Sequence, residues 1–187
     1  MPSAFAVRPA TPADIPALCL LKLKLLAAEN SLHVATASED DWLRDGFGPA
    51  AKFTALVAER DGAVAGNVVG NVVGMAIYSK RGFPGWSGTT LFMHDLYVEA
   101  AHRGHGCARA LMAHLARVAQ SEGAAFIELT VDKNNKAREF YERVGFAHVS
   151  QCMSYVAAQP ALQEIAASAP ISPATRTSHA MKRHAGR

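Results

Sequence analysis

Hydrophobic and polar positions change period along the chain, and the changes predict its elements. Phe5 and Val7 alternate with their neighbours as in a short strand, and Thr11-Pro12-Ala13-Asp14 follows with a capping residue, a proline suited to the first helical position and an acid for the first turn. That start predicts a helix running to about Glu29. Ser38-Glu39-Asp40-Asp41 predicts a second, with Trp42 and Leu43 inside it and Gly46 at its end. From Lys52 the period turns from helical to alternating. Residues 52–59 and 68–79 read as strands flanking Asp61-Gly62, a hairpin signal. The tandem Gly66-Asn67-Val68-Val69 and Gly70-Asn71-Val72-Val73 lies in the second of these strands; a four-residue duplication leaves the faces of a strand unchanged because four is even.

Residues 80–88 read as a loop from their glycines and Pro84, and residues 89–98 as a strong strand. Leu111, Leu115 and Val118 give residues 107–122 a helical spacing, with Gly123 just beyond the end. A buried strand is predicted at 125–131, a helix at 135–144 closed by Gly145, and two last strands at 146–151 and 153–157. The fold class is α+β, in α/β/α layers around a mixed sheet. Residues 161–167 can add a final helical segment, and 168–187, rich in Ala, Ser, Pro, Thr and basic residues, read as a disordered tail. The domain is therefore expected to span 1–167.

Composition narrows the class. Among 187 residues, 50% are hydrophobic and 19% charged, as in a globular domain that buries about two-thirds of its unfolded surface. No apolar run is long enough for a membrane span, since the leucine-rich stretch 15–26 carries Lys22 and Lys24, and the first residues have no apolar signal core. Cys19, Cys107 and Cys152 form no disulfide framework, which makes a reducing, cytoplasmic setting the expectation. The formal net charge of +3 owes much to Arg176, Lys182, Arg183 and Arg187 near the end, so no folded basic face points to nucleic acid.

The stretch from Leu96 to Leu111 runs strand, turn and helix start in succession. Gly104 and Gly106 allow a tight turn and close approach, the N–H groups at the helix start suit a phosphate, and Arg103 adds charge. An ordinary glycine-containing connection would look the same on this stretch alone. The spacing fits neither a Walker A loop nor G-x-G-x-x-G. His102, His105 and Cys107 lack a second ligand cluster, so no metal is expected. Cys107 reads as a small packing residue, although a thiol beside Arg103 at a helix start can also be reactive.

Arg103-Gly104-His105-Gly106-Cys107-Ala108 resembles the Arg/Gln-x-x-Gly-x-Gly/Ala signature of the GNAT superfamily of N-acetyltransferases. His94-Asp95-Leu96-Tyr97-Val98 before it, and Asn134-x-x-Ala137-x-x-Phe140-Tyr141 with Arg143-Val144-Gly145-Phe146 after it, agree in order. Residues 7–11 and 45–48 look more narrowly like the diamine acetyltransferases of spermidine/spermine type. The resemblance covers roughly residues 5–157. It implies a GNAT-type mixed, splayed sheet flanked by helices, with acetyl-CoA as cosubstrate and its pantetheine arm in the gap between two strands. Backbone groups of Leu96, Tyr97 and Val98 would bond that arm. The N–H groups of Gly104, His105, Gly106, Cys107 and Ala108, with Arg103 alongside, would take the pyrophosphate. Asn134 would contact the cofactor, cap the following helix, or both. Tyr141 matches the tyrosine that protonates the departing thiolate; helical spacing by itself also allows a core role.

Amine binding is expected at Glu29, His94 and Asp95. His94 stands where diamine acetyltransferases usually carry a glutamate, and Ala28 where they carry a tyrosine. An imidazole there can serve as the general base, or it can simply point into the core or a dimer surface. The implied activity is direct transfer of acetyl in a ternary complex to a primary amine of a diamine, polyamine or lysine-like amino acid, by a homodimer. A catalytically silent acyl-CoA sensor and a protein N-terminal or lysine acetyltransferase are the alternatives.

Overall fold

Five strands and four α-helices are formed by the residues that the computed structural model describes, 5–60, 71–82 and 88–150. In chain order they are β1 (Phe5–Pro9), α1 (Ile15–Ala28), α2 (Glu39–Phe47), β2 (Thr54–Arg60), β3 (Val72–Gly82), β4 (Thr89–Val98), α3 (Cys107–Ser121), β5 (Ala124–Leu129) and α4 (Ala137–Arg143). All belong to the first of two compact units, Met1–Phe146. Of the second, Ala147–Arg187, residues 147–150 are described, and they are exposed.

The sheet order is β1-β2-β3-β4-β5. The first three pairings are antiparallel and the last, β4 with β5, is parallel, which requires the crossover that α3 provides. Both faces of the sheet are covered, so β3 is buried from Val72 to Tyr78 without alternation. On one face Leu111, Met112 and Leu115 of α3 pack against Leu56, Ala76, Leu91 and Met93. On the other, Ile15, Leu18 and Leu21 of α1 and Trp42 of α2 pack against Val57, Met75 and Ile77. Gly74 lets the first turn of α3 close on the sheet: a Cβ there would stand 3.1 Å from both Cys107 Sγ and the Tyr97 carbonyl oxygen.

Several local expectations need correction. α2 runs through Gly46 to Phe47, because Gly46 carries the helix past the Phe53 ring, which a Cβ would meet at 2.7 Å. β3 continues to Gly82 instead of giving way to a loop at Lys80, since its ladder with β4 extends to Gly82 opposite Thr89. β5 is only half-buried, with Phe126 46% exposed; it is the last strand of the sheet among the described residues. α4 starts at Ala137, two residues later than expected, after the Asn135 side chain accepts from the Ala137 N–H. Residues 146–150 form no strand. The Asp61-Gly62 hairpin, the start of the tandem repeat, the segments 153–157 and 161–167, the boundary at 167 and the tail lie outside the described residues.

One ion-pair cluster ties the start of the chain to the sheet. Asp14 is fully buried and receives Arg8 at 2.7 and 2.9 Å and the Thr11 N–H at 2.7 Å; Arg8 also reaches Glu59 on β2 at 2.6 Å. Burial pushes the Asp14 pKa up, but the bonds from Arg8 and Thr11 outweigh it and hold the group below its ordinary value. A carboxylate with a depressed folded pKa stabilises the fold above its unfolded pKa of about 3.9 and loses that contribution as pH falls through the folded value. Asp14→Asn should therefore cost about 2 kcal/mol in denaturant unfolding at pH 7. The gap between variant and parent should narrow as the pH drops below about 4; a gap independent of pH would detach the effect from the charge.

Candidate active site

The ladder between β4 and β5 runs from Thr89 opposite Ala124 to Met93 opposite Leu129, and then stops, while β4 continues for five residues to Val98. Beyond Met93 the two strands part. Opposite them, β3 meets β4 through a bulge: Ile77 faces Asp95 and Tyr78 faces Met93, so His94 is the extra residue. Its effect is a change of parity. Leu91 and Met93 face α3 before the bulge, Leu96 and Val98 after it, and His94 and Asp95 both turn to the side of α1 and α2.

The edge of β4 that faces the gap can be read from two bonds. The Glu99 N–H donates to the Val73 carbonyl on β3, and the Val98 carbonyl accepts from Arg103 Nε at 2.9 Å. Backbone groups alternate between the two sides of an antiparallel strand. Leu96 and Val98 therefore present their peptide groups to the gap. Tyr97 differs from them: its peptide groups turn to β3 and its side chain is buried against α1 and α2.

A cleft of about 1120 Å³ opens where the strands part. Leu96 and Val98 form one wall, Arg103 and Ala108 the entrance to α3, and Asn134, Phe140 and Tyr141 the side of α4; Glu29, His94 and Asp95 also line it. At the start of α3, Gly104 and Gly106 have φ of 78° and 91°, in the left-handed region that favours glycine, and a Cβ at either would meet nothing within 4 Å. The first intrahelical bond runs from the Ala110 N–H to the Gly106 carbonyl, and Gly106 offers no side chain to the N–H groups of Cys107, Ala108 and Arg109. Backbone donors and the positive end of the helix thus face open space. His105 is exposed on this turn.

Cys107 is not activated by its position. It is 2% exposed, its sulfur lies beneath Gly74, and burial raises its pKa to about 11, so the thiol is a packing group. Asn134 does not cap α4, which begins after Lys136 and whose first N–H, that of Ala137, donates to the Asn135 side chain; the Asn134 N–H bonds Asp132 Oδ1 at 2.7 Å and the residue lines the cleft.

Tyr141 is half-buried, with its ring 5.5 Å from that of Phe140 and 5.9 Å from that of Phe146. Burial, then Glu29, then Asp95 raise its pKa, so the phenol stays protonated. Asp95 is held in a two-point ion pair by Lys22 of α1, both contacts at 2.8 Å. His94 Nε2 lies 2.8 Å from Ser79 Oγ, and its ring is edge-on to Phe92. Desolvation lowers its pKa below the ordinary value; Asp95 opposes this, and Arg81 and Lys22 reinforce it.

His94 and Asp95 also line a second pocket of about 420 Å³ between α1 and α2, with Leu23, Leu26, Val34, Trp42 and Phe53 in its walls. The two hollows therefore meet at the bulge. The partners Lys22 and Ser79 were not foreseen from the sequence, because residues 73 and 15 positions apart leave no pattern. The bulge did leave one: the core positions Leu91 and Met93 are followed by Leu96 and Val98, a break in the alternation. Among the described residues no cluster of metal-ligating side chains occurs and no helix is long and apolar enough to cross a membrane.

The Acetyltransferase (GNAT) family matches residues 23–146. Thialysine N-epsilon-acetyltransferase of Mus musculus is 30% identical over 140 residues, covering 74% of this chain and 82% of that protein. Spermidine/spermine N(1)-acetyltransferase-like protein 1 of Homo sapiens is 32% identical over 117 residues, which span 62% of this chain and 16% of that protein. Among solved structures, an integron cassette protein from V. cholerae superposes with a TM-score of 0.70 at 21% identity, covering 87% of this chain and 98% of that one. A metagenomic aminoglycoside acetyltransferase in complex with sisomicin gives 0.67 at 13% identity, over 83% and 96%; both show the shared fold. With the family matched over residues 23–146, from α1 past the end of α4, and a relative 30% identical over 82% of its length, this chain belongs to the GNAT acetyltransferase family.

Proposed function

We propose that this chain is an N-acetyltransferase that moves the acetyl group of acetyl-CoA to a primary amine of a small molecule, within a ternary complex of a cytoplasmic homodimer. The observation that carries the reading is a single cleft shared by the open edge of β4, the mouth of α3 and Tyr141, with His94 and Glu29 on the same walls. The names of the relatives, spermidine/spermine and thialysine acetyltransferases, suggest amines as the acceptor class. A silent acyl-CoA sensor would have no use for Tyr141 beside the gap.

The residues present fit the cofactor. The N–H groups of Cys107, Ala108 and Arg109, approached across Gly104 and Gly106, suit its diphosphate with Arg103 nearby, and the peptide groups of Leu96 and Val98 suit an extended amide arm. When bound, acetyl-CoA supplies an acetyl group activated as a thioester.

An amine with a pKa near 10 arrives protonated and must lose a proton before it can attack. His94 can take it if its Nε2–H donates to Ser79 Oγ, which leaves the Nδ1 lone pair free. The amine nitrogen then attacks the carbonyl carbon, the C–N bond forms, the C–S bond breaks with its electron pair going to sulfur, and the Tyr141 O–H protonates that sulfur. The nitrogen releases its surplus proton and Tyr141 regains one, so ammonium and thioester give amide, thiol and one proton. Reference values of about 10 and 8.5 make the tyrosine-to-thiolate transfer uphill by roughly 2 kcal/mol, and the burial and carboxylates that raise Tyr141 widen the gap. Tyr141 thus acts chiefly by bonding to charge as it develops on sulfur.

Three outcomes follow. Gly106→Val, which adds bulk and a strained positive φ at the mouth of α3, should weaken acetyl-CoA binding at least tenfold in calorimetry while the circular dichroism spectrum is unchanged; undiminished affinity in the folded variant removes the diphosphate from this turn. Tyr141→Phe should lower kcat by about 10²- to 10⁴-fold with cofactor affinity retained, and a normal kcat reassigns the ring to packing. For His94, a base works only when neutral, so kcat/KM should climb through an apparent pKa below the usual histidine value of about 6.5, and that limb should vanish in His94→Ala. An unaltered profile would take His94 out of proton transfer.

A further inference from the structure

The pocket behind His94 holds more information about the acceptor than the cleft does. It lies between α1 and α2 and shares His94 and Asp95 with the cleft at the bulge, so it offers room there for the part of the acceptor that does not react. Three carboxylates line it, and each is already matched by a cation of this chain. Asp95 has Lys22 at 2.8 Å through both oxygens. Asp41 has Arg44 at 2.7 Å and also receives the Ser38 N–H at 2.9 Å. Asp45 has Arg44 at 2.9 Å and Lys52 at 3.0 Å. Three negative charges meet three positive ones, and His94 adds none when neutral. Meanwhile Leu23 and Val34, 46% and 55% exposed, offer apolar surface to the pocket beside the edge-on rings of Trp42 and Phe53, 5.3 Å apart.

A second ammonium entering here would shed water and find every lining carboxylate already paired, with Lys22 and Lys52 repelling it; Glu39, which acts on the lining Cys19 thiol and has no ion pair among the described residues, is exposed to water and is not part of the lining. The aromatic walls could attract a cation, but not against two lysines that line the same space. An apolar group gains from the same walls. Glu29, across the cleft and close enough to Tyr141 to raise its pKa, has no ion pair among the described residues and can hold the one ammonium that reacts.

Resting on the acetyltransferase reading above, we infer that the acceptor is a primary monoamine with an apolar body seated in the pocket between α1 and α2, and not a diamine or polyamine. Acetyl-CoA-dependent thiol release measured with propylamine, hexylamine, 2-phenylethylamine, 1,6-diaminohexane, spermidine and lysine tests this. From propylamine to hexylamine kcat/KM should rise about fourfold per methylene until the pocket is filled. Hexylamine should exceed 1,6-diaminohexane, a chain of the same length with a second charge, by at least tenfold. Val34→Glu, which puts an unpaired carboxylate on an exposed wall position, should shift the ratio of the two toward the diamine by about fivefold. Diamine, spermidine or lysine preferred over hexylamine by the parent protein overturns the inference and leaves the acetyltransferase reading standing. Thiol release with none of the amines, while acetyl-CoA still binds, overturns both.

Discussion

Much of the site depends on one extra residue in β4. With a side-chain period of two, a strand that places Leu91 and Met93 against α3 would place residue 95 there as well, and residue 95 is an aspartate. The bulge at His94 turns Asp95 away to Lys22 and brings Leu96 and Val98 onto the α3 face instead. It also bends the strand at the point where pairing with β5 ends. Core packing and the adjacency of an imidazole to a carboxylate are therefore solved by the same local distortion, which lies where the cleft opens, so that the cleft and the pocket between α1 and α2 share His94 and Asp95.

The electrostatics separate two tasks. Around Asp14 and Asp95 the charges are closed off in pairs that tie the chain start and α1 to the sheet, and around Asp41 and Asp45 in pairs within α2 and to Lys52 just before β2. Near Tyr141 one is left open: Glu29 has no ion pair among the described residues, and together with burial and the paired Asp95 it keeps a half-buried phenol neutral. A neutral donor suits a step in which negative charge appears on sulfur and then disappears, because it neither attracts a counter-ion beforehand nor remains ionised afterwards.

The elements were legible where their ends or their apolar faces are marked. β4 has the limits that the sequence predicts despite the break at His94, and α1 and α3 end within one residue of theirs: α3 has a well-marked apolar face, whereas α1, apolar on nearly all sides, is marked by its Thr11-Pro12 start. Elements that answer to a neighbour were not. Gly46 reads as a helix stop in sequence, yet its lack of a side chain serves the Phe53 ring and the helix goes on. Asn134 and Asn135 are indistinguishable as caps until the start of α4 is known. The turn at Gly104 and Gly106 was legible because positive φ demands glycine, whereas the state of Cys107 was not: its helix-start position suggests a reactive thiol, and only the sulfur's place under Gly74 makes it inert. Partners of the site residues, Lys22 above all, depend on how α1 lies across the sheet.

The parting of β4 from β5 leaves the fold with a strand edge in its interior. Unpaired strand edges on a protein's rim invite pairing with other chains and are commonly guarded by charge, proline or a covering loop. Here the edge at Leu96 and Val98 is recessed behind the end of α1 on one side and α4 on the other. Enclosure takes the place of the usual guards: a polypeptide with side chains on both faces meets helices before it meets the edge, while a slender, extended molecule bearing amides can lie along it as a strand would. The exclusion of aggregation and the selection of ligand shape are then two results of one geometry.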